Sequence, residues 1–455
     1  MFDRRRDAPI NKVVVVSTVF PYPASTGKQM VLSGILKYLF ERYGTEHVTY
    51  MLLGSSEEDG PLRGQMPCRL LTLKGPSILT RLRNVFWSSL LHKTKSIQES
   101  MLYSDGLGRE LRAIIAELEP DLIICDTFRT GQFFETAKRC TGRYVLYMDD
   151  LFSVRYMRML EVLTRFPQAR LNPLGNFAQF VPPFLRSYVR ITSVQKWLLR
   201  FEQRLVEKRE RECIRWFDRA VLINEEEASL LHRRTGQTSI QSIKPLLTNS
   251  GEMRARHYDG KPVFVFLGGL NLPHNQFSII QFIETQADRM IEQIPGVKLR
   301  VIGRGASPEL IHLAHRYTDN ITLDGFVDDL GTVFSEACAM VVPLLFGSGV
   351  KIKTLEALSQ GLPVISTEFG IEGIPITRGM HCIVENDIDR FPKAMSDLLD
   401  VKYNLNMSRQ AREFCFNEYA KERIFRQYEP AFGGVRENWP SSVESASRNM
   451  SQRLS

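Results

Sequence analysis

The residues best suited to chemistry lie in one short segment, the turn Gly347–Gly349 and the helical pattern that follows it. The two glycines of this turn allow the backbone to bend sharply and to approach a ligand closely. A helix beginning near Val350 would direct its free amide groups and positive dipole end at an anion such as a diphosphate. Lys351 and Lys353 add positive charge within its first turn. The segment therefore predicts an anion site.

Glu356 follows Lys353 by three residues, which places both on one face of the predicted helix. Its carboxylate could accept hydrogen bonds from two vicinal hydroxyl groups, such as those of a ribose. The alternative is a tight turn followed by a solvated Lys353–Glu356 pair without a ligand.

Two further glycine positions follow strand patterns. Gly268 and Gly269 come after VFVF and before the loop LNLPHN, where a backbone without side chains would let a phosphate or sugar sit against it. Gly303 and Gly305 close the pattern LRVIG and match part of a dinucleotide-binding fingerprint, without its full spacing.

Short apolar runs alternate with helical patterns along most of the chain, which predicts an α/β fold with parallel, doubly wound sheets. We expect an N-terminal Rossmann-like domain over residues 1–215 and a second over 216–400. A C-terminal helix over 401–432 should pack back on the first domain, and the Ser-rich tail 433–455 should be disordered. Two such domains place the default ligand site in the cleft between them.

The motifs of the second domain resemble a known family. GGLNLPHNQFSIIQFIE, VKLRVIGRG, ITLDGFVDDL and GSGVKIKTLEALSQGLPVISTEFGIEGI follow one another, over roughly residues 262–384, as in the nucleotide-sugar half of family 4 glycosyltransferases. The likeness is greatest to the subgroup that builds bacterial exopolysaccharides. It implies a GT-B fold with two Rossmann-like domains, a nucleotide-sugar donor in the cleft and retention of anomeric configuration.

The resemblance also assigns residues to the donor. It places Glu356 on the ribose, Gly268 and Gly269 beside the phosphates, and Val327 where the backbone reads the base. The other donor positions are Gly27 in the first loop, Gly303, and the run Ser348, Gly349, Val350 and Lys351 at the transferred sugar and diphosphate.

Two departures from the family pattern bear on the chemistry. Ser348 stands where many members have the first of two glutamates, and the usual basic pair after the glycine loop is missing, since LNLPHN offers only His274. We therefore expect Lys351 or Lys353 to supply the positive charge. The catalytic candidates are Lys353 together with Asp149 and Asp150.

Asp149 and Asp150 end the strand pattern RYVLYMDD, which places them at the mouth of the cleft. They are expected near a catalytic or acceptor-binding position. The alternative is that one of them caps the following helix.

The net charge of +8 is concentrated in two basic windows, residues 61–98 and 151–200. Residues 61–98 contain no acid, and within them SILTRLRNVFWSSLLHK carries an apolar stripe flanked by arginines. Such a helix suits the surface of an anionic membrane, and the alternative is a core-facing stripe with solvated arginines. No apolar run is long enough to cross a bilayer. The seven scattered cysteines and the absence of clustered ligands predict a reducing, cytoplasmic setting and no metal.

The predicted function is transfer of a sugar, hexosyl-like and without a metal or other cofactor, from a nucleoside-diphosphate sugar to a hydroxyl group. The acceptor would be a carbohydrate or a lipid-linked chain, met in the cytoplasm or at the inner face of the plasma membrane. The alternatives are a non-catalytic scaffold of polysaccharide assembly and a sugar-nucleotide epimerase or hydrolase. The basic windows contain no nucleic-acid-binding motif.

Overall fold

The structure is a computed structural model that describes residues 10–55, 64–135, 142–166, 191–247, 256 and 258–433. The predicted tail 433–455 lies outside the described residues except for Gly433.

The N-terminal sheet contains seven described strands, all paired in parallel, in the order β3-β2-β1-β4-β5-β6-β7. Its strands are β1 (Val13–Ser17), β2 (Val48–Ser55), β3 (Arg69–Lys74), β4 (Leu122–Asp126), β5 (Arg143–Asp149), β6 (Arg219–Leu222) and β7 (Ile240–Ser242). The central strands β1 and β4 are buried along their whole length. Continuous apolar runs of this kind form where helices cover both faces of a sheet.

The C-terminal sheet has six described parallel strands in the order β10-β9-β8-β11-β12-β13. They are β8 (Val263–Leu267), β9 (Lys298–Ile302), β10 (Ile321–Gly325), β11 (Ala339–Val342), β12 (Val364–Ser366) and β13 (Ile383–Val384). The predicted α/β class with two doubly wound sheets is confirmed.

Helices connect the strands and cover the two sheets. In the N-terminal half they are α1 (Gly27–Tyr43), α2 (Ile78–Asn84), a π-helix (Val85–Leu91), α3 (Ile97–Leu102), α4 (Asp105–Leu118), α5 (Thr127–Gly131), α6 (Phe152–Arg165), α7 (Thr192–Cys213) and α8 (Glu225–Thr235). In the C-terminal half they are α9 (Pro273–Gln293), α10 (Pro308–Arg316), α11 (Leu330–Glu336), α12 (Ile352–Ser359), α13 (Glu368–Ile371), α14 (Phe391–Asp397), α15 (Val401–Glu418) and α16 (Lys421–Phe432).

The domain boundary predicted between residues 215 and 216 is wrong. β6 pairs with β5 and β7 pairs with β6, so both strands extend the N-terminal sheet. The C-terminal sheet begins only with β8 at Val263. The sequence did not indicate that the N-terminal sheet continues after α7. The alternation of strands and helices stops at this long helix and restarts after it, as it would at the start of a new domain.

The C-terminal helix predicted over 401–432 is two helices that serve different domains. α15 packs on α12, whereas α16 crosses to α1 of the N-terminal domain. There the Tyr38 hydroxyl donates to the Glu429 carboxylate at 2.6 Å, and Tyr43 donates to the Phe432 carbonyl at 2.8 Å. The two domains are therefore linked both before β8 and between α15 and α16.

Candidate active site

The turn Gly347–Gly349 lies between β11 and α12, as the sequence predicted. Gly347 and Gly349 have φ angles of 154° and 71°, values that residues with a Cβ atom rarely adopt. α12 begins at Ile352, two residues later than expected. Lys351 folds back on this turn and donates to the carbonyl oxygens of Ser348 and Gly349 at 2.9 and 2.7 Å. Burial lowers the pKa of Lys351 to about 8.

Glu356 lies in α12 and is only 8% exposed. The Lys353 ammonium donates to its Oε2 at 2.9 Å. The ion pair between Lys353 and Glu356 is therefore formed, but its carboxylate is buried rather than solvated. Lys353 is committed to Glu356, so it orients that carboxylate rather than presenting a free cation.

The glycine loop after β8 is tied to the end of β9. The amide of Gly268 donates to the Ile302 carbonyl at 3.0 Å, and that of Leu270 donates to the Arg304 carbonyl at 2.8 Å. Gly303 has a φ of 154°, and a Cβ built on it would lie 1.8 Å from the Gly268 carbonyl oxygen. The absence of a side chain at Gly303 thus fixes the path of the Gly268-Gly269 loop.

The N-terminal domain brings a cationic helix face to the turn. In α6, Arg155 Nε donates to Ser348 Oγ at 3.2 Å, and Arg158 Nη1 donates to the Gly347 carbonyl at 2.7 Å. Arg158 also pairs with Glu372 of the C-terminal domain. These arginines were counted only as part of a basic window in the sequence. Their spacing of three residues, in the helical pattern that follows the Asp149-Asp150 pair, is the signal that could have placed them at the cleft.

His274, the remaining basic candidate of the glycine loop, is uncharged at neutral pH. Burial, with the nearby cations Lys351 and Arg155, lowers its pKa to about 3. The positive charge at the turn therefore comes from Lys351, Arg155 and Arg158.

Asp149 and Asp150 point to different partners. Asp150 is 3% exposed, and its Oδ2 accepts from Arg155 Nη2 at 2.6 Å and from Ser348 Oγ at 3.2 Å. Asp149 has a φ of 69° and accepts from the Tyr147 hydroxyl at 2.7 Å. Neither aspartate caps α6, whose N-cap is Leu151 without a side-chain hydrogen bond. The capping alternative is therefore wrong.

A buried polar cluster that the sequence analysis missed lies beside Asp149. Lys28, in the first turn of α1, pairs with Asp126 and lies 3.3 Å from Asp149 Oδ2. Ser17 Oγ donates to the other oxygen of Asp126 at 2.6 Å. Burial would raise the pKa of Asp149, but Lys28, the Tyr147 hydroxyl and Arg155 outweigh it and lower that pKa. Asp126 ends the strand pattern DLIICD. An acid at the carboxyl end of a central strand is the signal that could have placed Asp126 in the site.

Gly27 and Val327 belong to different domains. A Cβ on Gly27 would lie 3.4 Å from Ile352, so the start of α1 contacts the start of α12 across the cleft. Val327 is partly buried at the end of β10, beside an exposed pair in which the Arg304 guanidinium lies 4.1 Å from the centre of the Phe326 ring.

Glu227, on α8, is a buried carboxyl group next to Asp150. Its Oε2 accepts from the Leu151 amide at 2.6 Å. Burial and the neighbouring carboxylates of Asp150 and Glu372 raise its pKa to about 8, against the opposing effects of the Leu151 amide and Arg155. Glu227 therefore carries a proton at neutral pH.

We expect Glu227→Gln to change the pH dependence of stability. Between about pH 4.5 and 8 the folded chain holds a proton on Glu227 that the unfolded chain releases, so this residue's contribution to stability is lost as the pH rises through that range. Glutamine keeps the neutral form at every pH. The Tm of the variant should match the wild type at pH 5 and exceed it by a few degrees at pH 8. A difference in Tm between variant and wild type that stays the same from pH 5 to pH 8 would contradict the assignment.

Comparison with known proteins finds a family that part of the chain resembles. Residues 261–401 match the family model described as Glycosyl transferases group 1. This segment is thus similar to the group 1 glycosyl transferases. It contains the Gly268-Gly269 loop, the turn Gly347–Gly349 and Glu356, and so confirms the resemblance inferred from the motifs.

One curated relative is an uncharacterized 44.6 kDa protein in the cps region of Klebsiella pneumoniae. It is 28% identical over 162 residues, which are 34% of this chain and 40% of the relative. The match thus spans well under two thirds of that relative.

Solved structures share the arrangement of the two domains. TarM of S. aureus has a TM-score of 0.63 and 9% identity, over 93% of this chain and 99% of that one. HepE of Anabaena, solved with UDP and glucose, has a TM-score of 0.60 and 12% identity, over 92% and 98%. WaaG, a glycosyltransferase involved in lipopolysaccharide biosynthesis, has a TM-score of 0.57 and 13% identity, over 93% and 100%. At these identities the likeness shows a shared GT-B fold.

Proposed function

We propose that the protein transfers a sugar from a nucleoside-diphosphate sugar to a hydroxyl group of an acceptor. The observation that carries the proposal is the meeting of the turn Gly347–Gly349, at the start of α12, with Arg155 and Arg158 of the opposite domain. Glu356 lies one turn further along α12, within reach of the ribose of a nucleotide whose diphosphate occupies that helix start. The group 1 match and the GT-B fold support this reading.

The mechanism requires stabilisation of the departing diphosphate, on which negative charge develops in the transition state. The free amides of α12, together with Lys351, Arg155 and Arg158, supply positive charge to that position from two directions. Preorganised charges of this kind lower the barrier without a metal ion. We propose metal-independent transfer on this basis, and the family resemblance implies that a hexosyl group is transferred with retention of configuration.

The acceptor side is assigned to the N-terminal domain. Lys28, Asp126 and Asp149 form its polar centre at the carboxyl ends of β4 and β5. Asp149 keeps its negative charge at neutral pH because Lys28 and Tyr147 lower its pKa despite burial. An ionised carboxylate there can accept a hydrogen bond from the incoming hydroxyl group and orient it.

The first test is thermal stability against UDP, GDP, ADP and their common sugar conjugates, without added metal. A ligand that binds only the folded chain raises Tm by an amount that grows with its concentration. We expect one nucleotide family to raise Tm by several degrees at saturating concentration. No shift with any of them would contradict the proposal and favour a non-catalytic scaffold.

The acid-free window forms an exposed apolar surface on the N-terminal domain. Seven large apolar side chains of α2 and the π-helix are 41–80% exposed: Ile78, Leu79, Leu82, Phe86, Trp87, Leu90 and Leu91. Arg83 and Lys93 are exposed beside them. The predicted stripe therefore faces outward, which excludes the core-facing alternative. In the part of the chain that the structure describes, no helix is both long and apolar enough to cross a membrane.

We propose that this surface docks on an anionic membrane, at the inner face of the plasma membrane, and there meets a lipid-linked or polysaccharide acceptor. Apolar side chains flanked by exposed basic residues match the acyl chains and headgroups of such a surface.

We expect Phe86→Asp and Trp87→Asp each to weaken binding to phosphatidylcholine vesicles containing phosphatidylglycerol by about tenfold. Each substitution removes an aromatic side chain that would insert into the membrane and adds a negative charge that the anionic lipid repels. Vesicle co-sedimentation measures the effect. Phe416→Asp, at a residue that is 43% exposed on α15, is the matched control and should bind as wild type does. Equal binding of all variants, or equal binding to vesicles without phosphatidylglycerol, would contradict the proposal.

A further inference from the structure

The start of α6 is held by side chains of two other helices rather than by its own. Leu151, the N-cap of α6, makes no side-chain hydrogen bond. The amide of Leu151 donates instead to Glu227 Oε2 of α8 at 2.6 Å, and the amide of Ser153 donates to Glu210 Oε1 of α7 at 3.1 Å. A helix start usually receives its cap from a Ser, Thr, Asp or Asn of its own segment. Here two carboxyl groups 76 and 57 positions away take over that task.

Glu210 and Glu227 belong to a buried network that joins three helices. They are 0% and 3% exposed. Glu210 Oε2 also accepts from the Ser153 hydroxyl at 2.5 Å, and that hydroxyl oxygen accepts from Arg234 Nη1 of α8 at 3.0 Å. The start of α6 is therefore bound to α7 and to α8 at the same time. Buried polar networks of this kind make the elements that they join rigid.

α6 is the helix that brings positive charge to the turn Gly347–Gly349. Arg155 and Arg158 lie about one and two turns after Leu151 and contact Ser348 Oγ and the Gly347 carbonyl. Because a helix of two turns moves as a unit, a shift at its start displaces both guanidinium groups together. The groups that hold the first turn of α6 therefore set where the two arginines lie.

We propose that Glu210 and Glu227 are positioning residues for sugar transfer, which hold the first turn of α6 so that Arg155 and Arg158 meet a diphosphate at the turn. Both carboxyl groups act through the backbone of α6 rather than on the ligand. Charges lower a reaction barrier in this way only when the surrounding residues hold them in place. The inference rests on the proposed function, because a diphosphate at the start of α12 is the ligand that the arginines would meet.

The capping oxygens, rather than negative charges, carry this role. Burial raises the pKa of Glu210 to about 7 and that of Glu227 to about 8, although hydrogen bonds from Ser153 and Leu151 oppose the shift. The site thus accepts a neutral side chain that has an oxygen at the same place. Glutamine should replace either residue, whereas leucine, which has no acceptor, should not.

The test is calorimetric titration of the nucleoside diphosphate that the stability panel selects. Glu210→Leu and Glu227→Leu should each weaken its binding about tenfold, and Glu210→Gln and Glu227→Gln should restore wild-type affinity. The matched control is Glu202→Leu, at a carboxyl group of α7 that is 1% exposed and accepts from the amides of Ile97 and Gln98. Those amides begin α3, a helix without basic residues. The control should lose stability as the other leucine variants do and bind the nucleoside diphosphate as wild type does.

A second measurement asks whether Glu210 acts through the arginines. In a chain that carries Arg155→Gln and Arg158→Gln, binding is already weakened, and Glu210→Leu should cause no further loss because no guanidinium group remains to be positioned. A further tenfold loss in that chain would overturn the inference.

Wild-type affinity in both leucine variants would overturn the inference, and so would an equal loss in Glu202→Leu, since the effect would then follow from stability alone. The thermal midpoint of each variant shows whether it is folded. Where a leucine variant is not, the aspartate variant at the same position decides: it withdraws the carboxyl group by one methylene and should weaken binding about threefold, and wild-type affinity there would overturn the inference. A wild-type chain that binds no nucleoside diphosphate would instead overturn the proposed function.

Discussion

Replacing Glu356 by alanine is expected to weaken binding of the nucleoside diphosphate by about a hundredfold. A carboxylate that accepts hydrogen bonds from two vicinal ribose hydroxyls forms two charge-assisted bonds, each worth roughly 1.5–3 kcal/mol. Their combined loss, about 3 kcal/mol or more, corresponds to at least two orders of magnitude in Kd. Calorimetric titration of the variant measures this directly.

Lys353→Met provides the comparison that separates the ribose contact from the ion pair. It removes the ammonium that lies 2.9 Å from Glu356 Oε2 but leaves the carboxylate in place. If Lys353 only orients Glu356, its loss should weaken binding far less than loss of the carboxylate does. Equal effects of the two substitutions would assign the role to the ion pair, and unchanged affinity in Glu356→Ala would remove the ribose assignment.

The second large effect is expected at Gly303. Gly303→Ala should lower the free energy of unfolding by about 3 kcal/mol, because it combines backbone strain with a steric clash. The new Cβ would lie 1.8 Å from the backbone oxygen of Gly268, which cannot move without shifting the glycine loop. Denaturant unfolding measures the loss, and nucleotide binding should weaken with it.

Gly296→Ala is the matched control for this substitution. Gly296 has a φ of 74°, and a Cβ built there meets nothing within 4 Å. This variant carries the strain of a positive φ without the clash, so we expect it to lose only about 1 kcal/mol. Similar losses in both variants would show that the contact with Gly268 does not matter.

The C-terminal half could be predicted well from the sequence because its signals are local. The strand runs VFVFL and AMVV are continuously apolar, and the two glycines of the Gly347–Gly349 turn lie close after the second run. The position of Glu356 on the same helix face as Lys353 follows from helical spacing alone. Patterns of this kind need only a few neighbouring residues, so one sequence is enough to locate them.

What escaped prediction depends on contacts between residues far apart in the chain. Arg155 and Ser348 are separated by 193 positions, and Lys28 and Asp126 by 98, so no local pattern could pair them. Strand β7 is three residues long and only partly buried, too short for a clear alternation.

The crossing of α16 onto α1 has a consequence for how the chain is made. The aromatic side chains Phe425, Tyr428 and Phe432 belong to the same buried cluster as Tyr38 of α1. Residues near position 40 leave the ribosome long before those near 430, so during synthesis the first domain exposes an apolar helix face that its own segment cannot cover. Completion of the N-terminal domain must therefore wait until the segment around position 430 has been synthesised, and its early intermediates are exposed to aggregation and to chaperones until then.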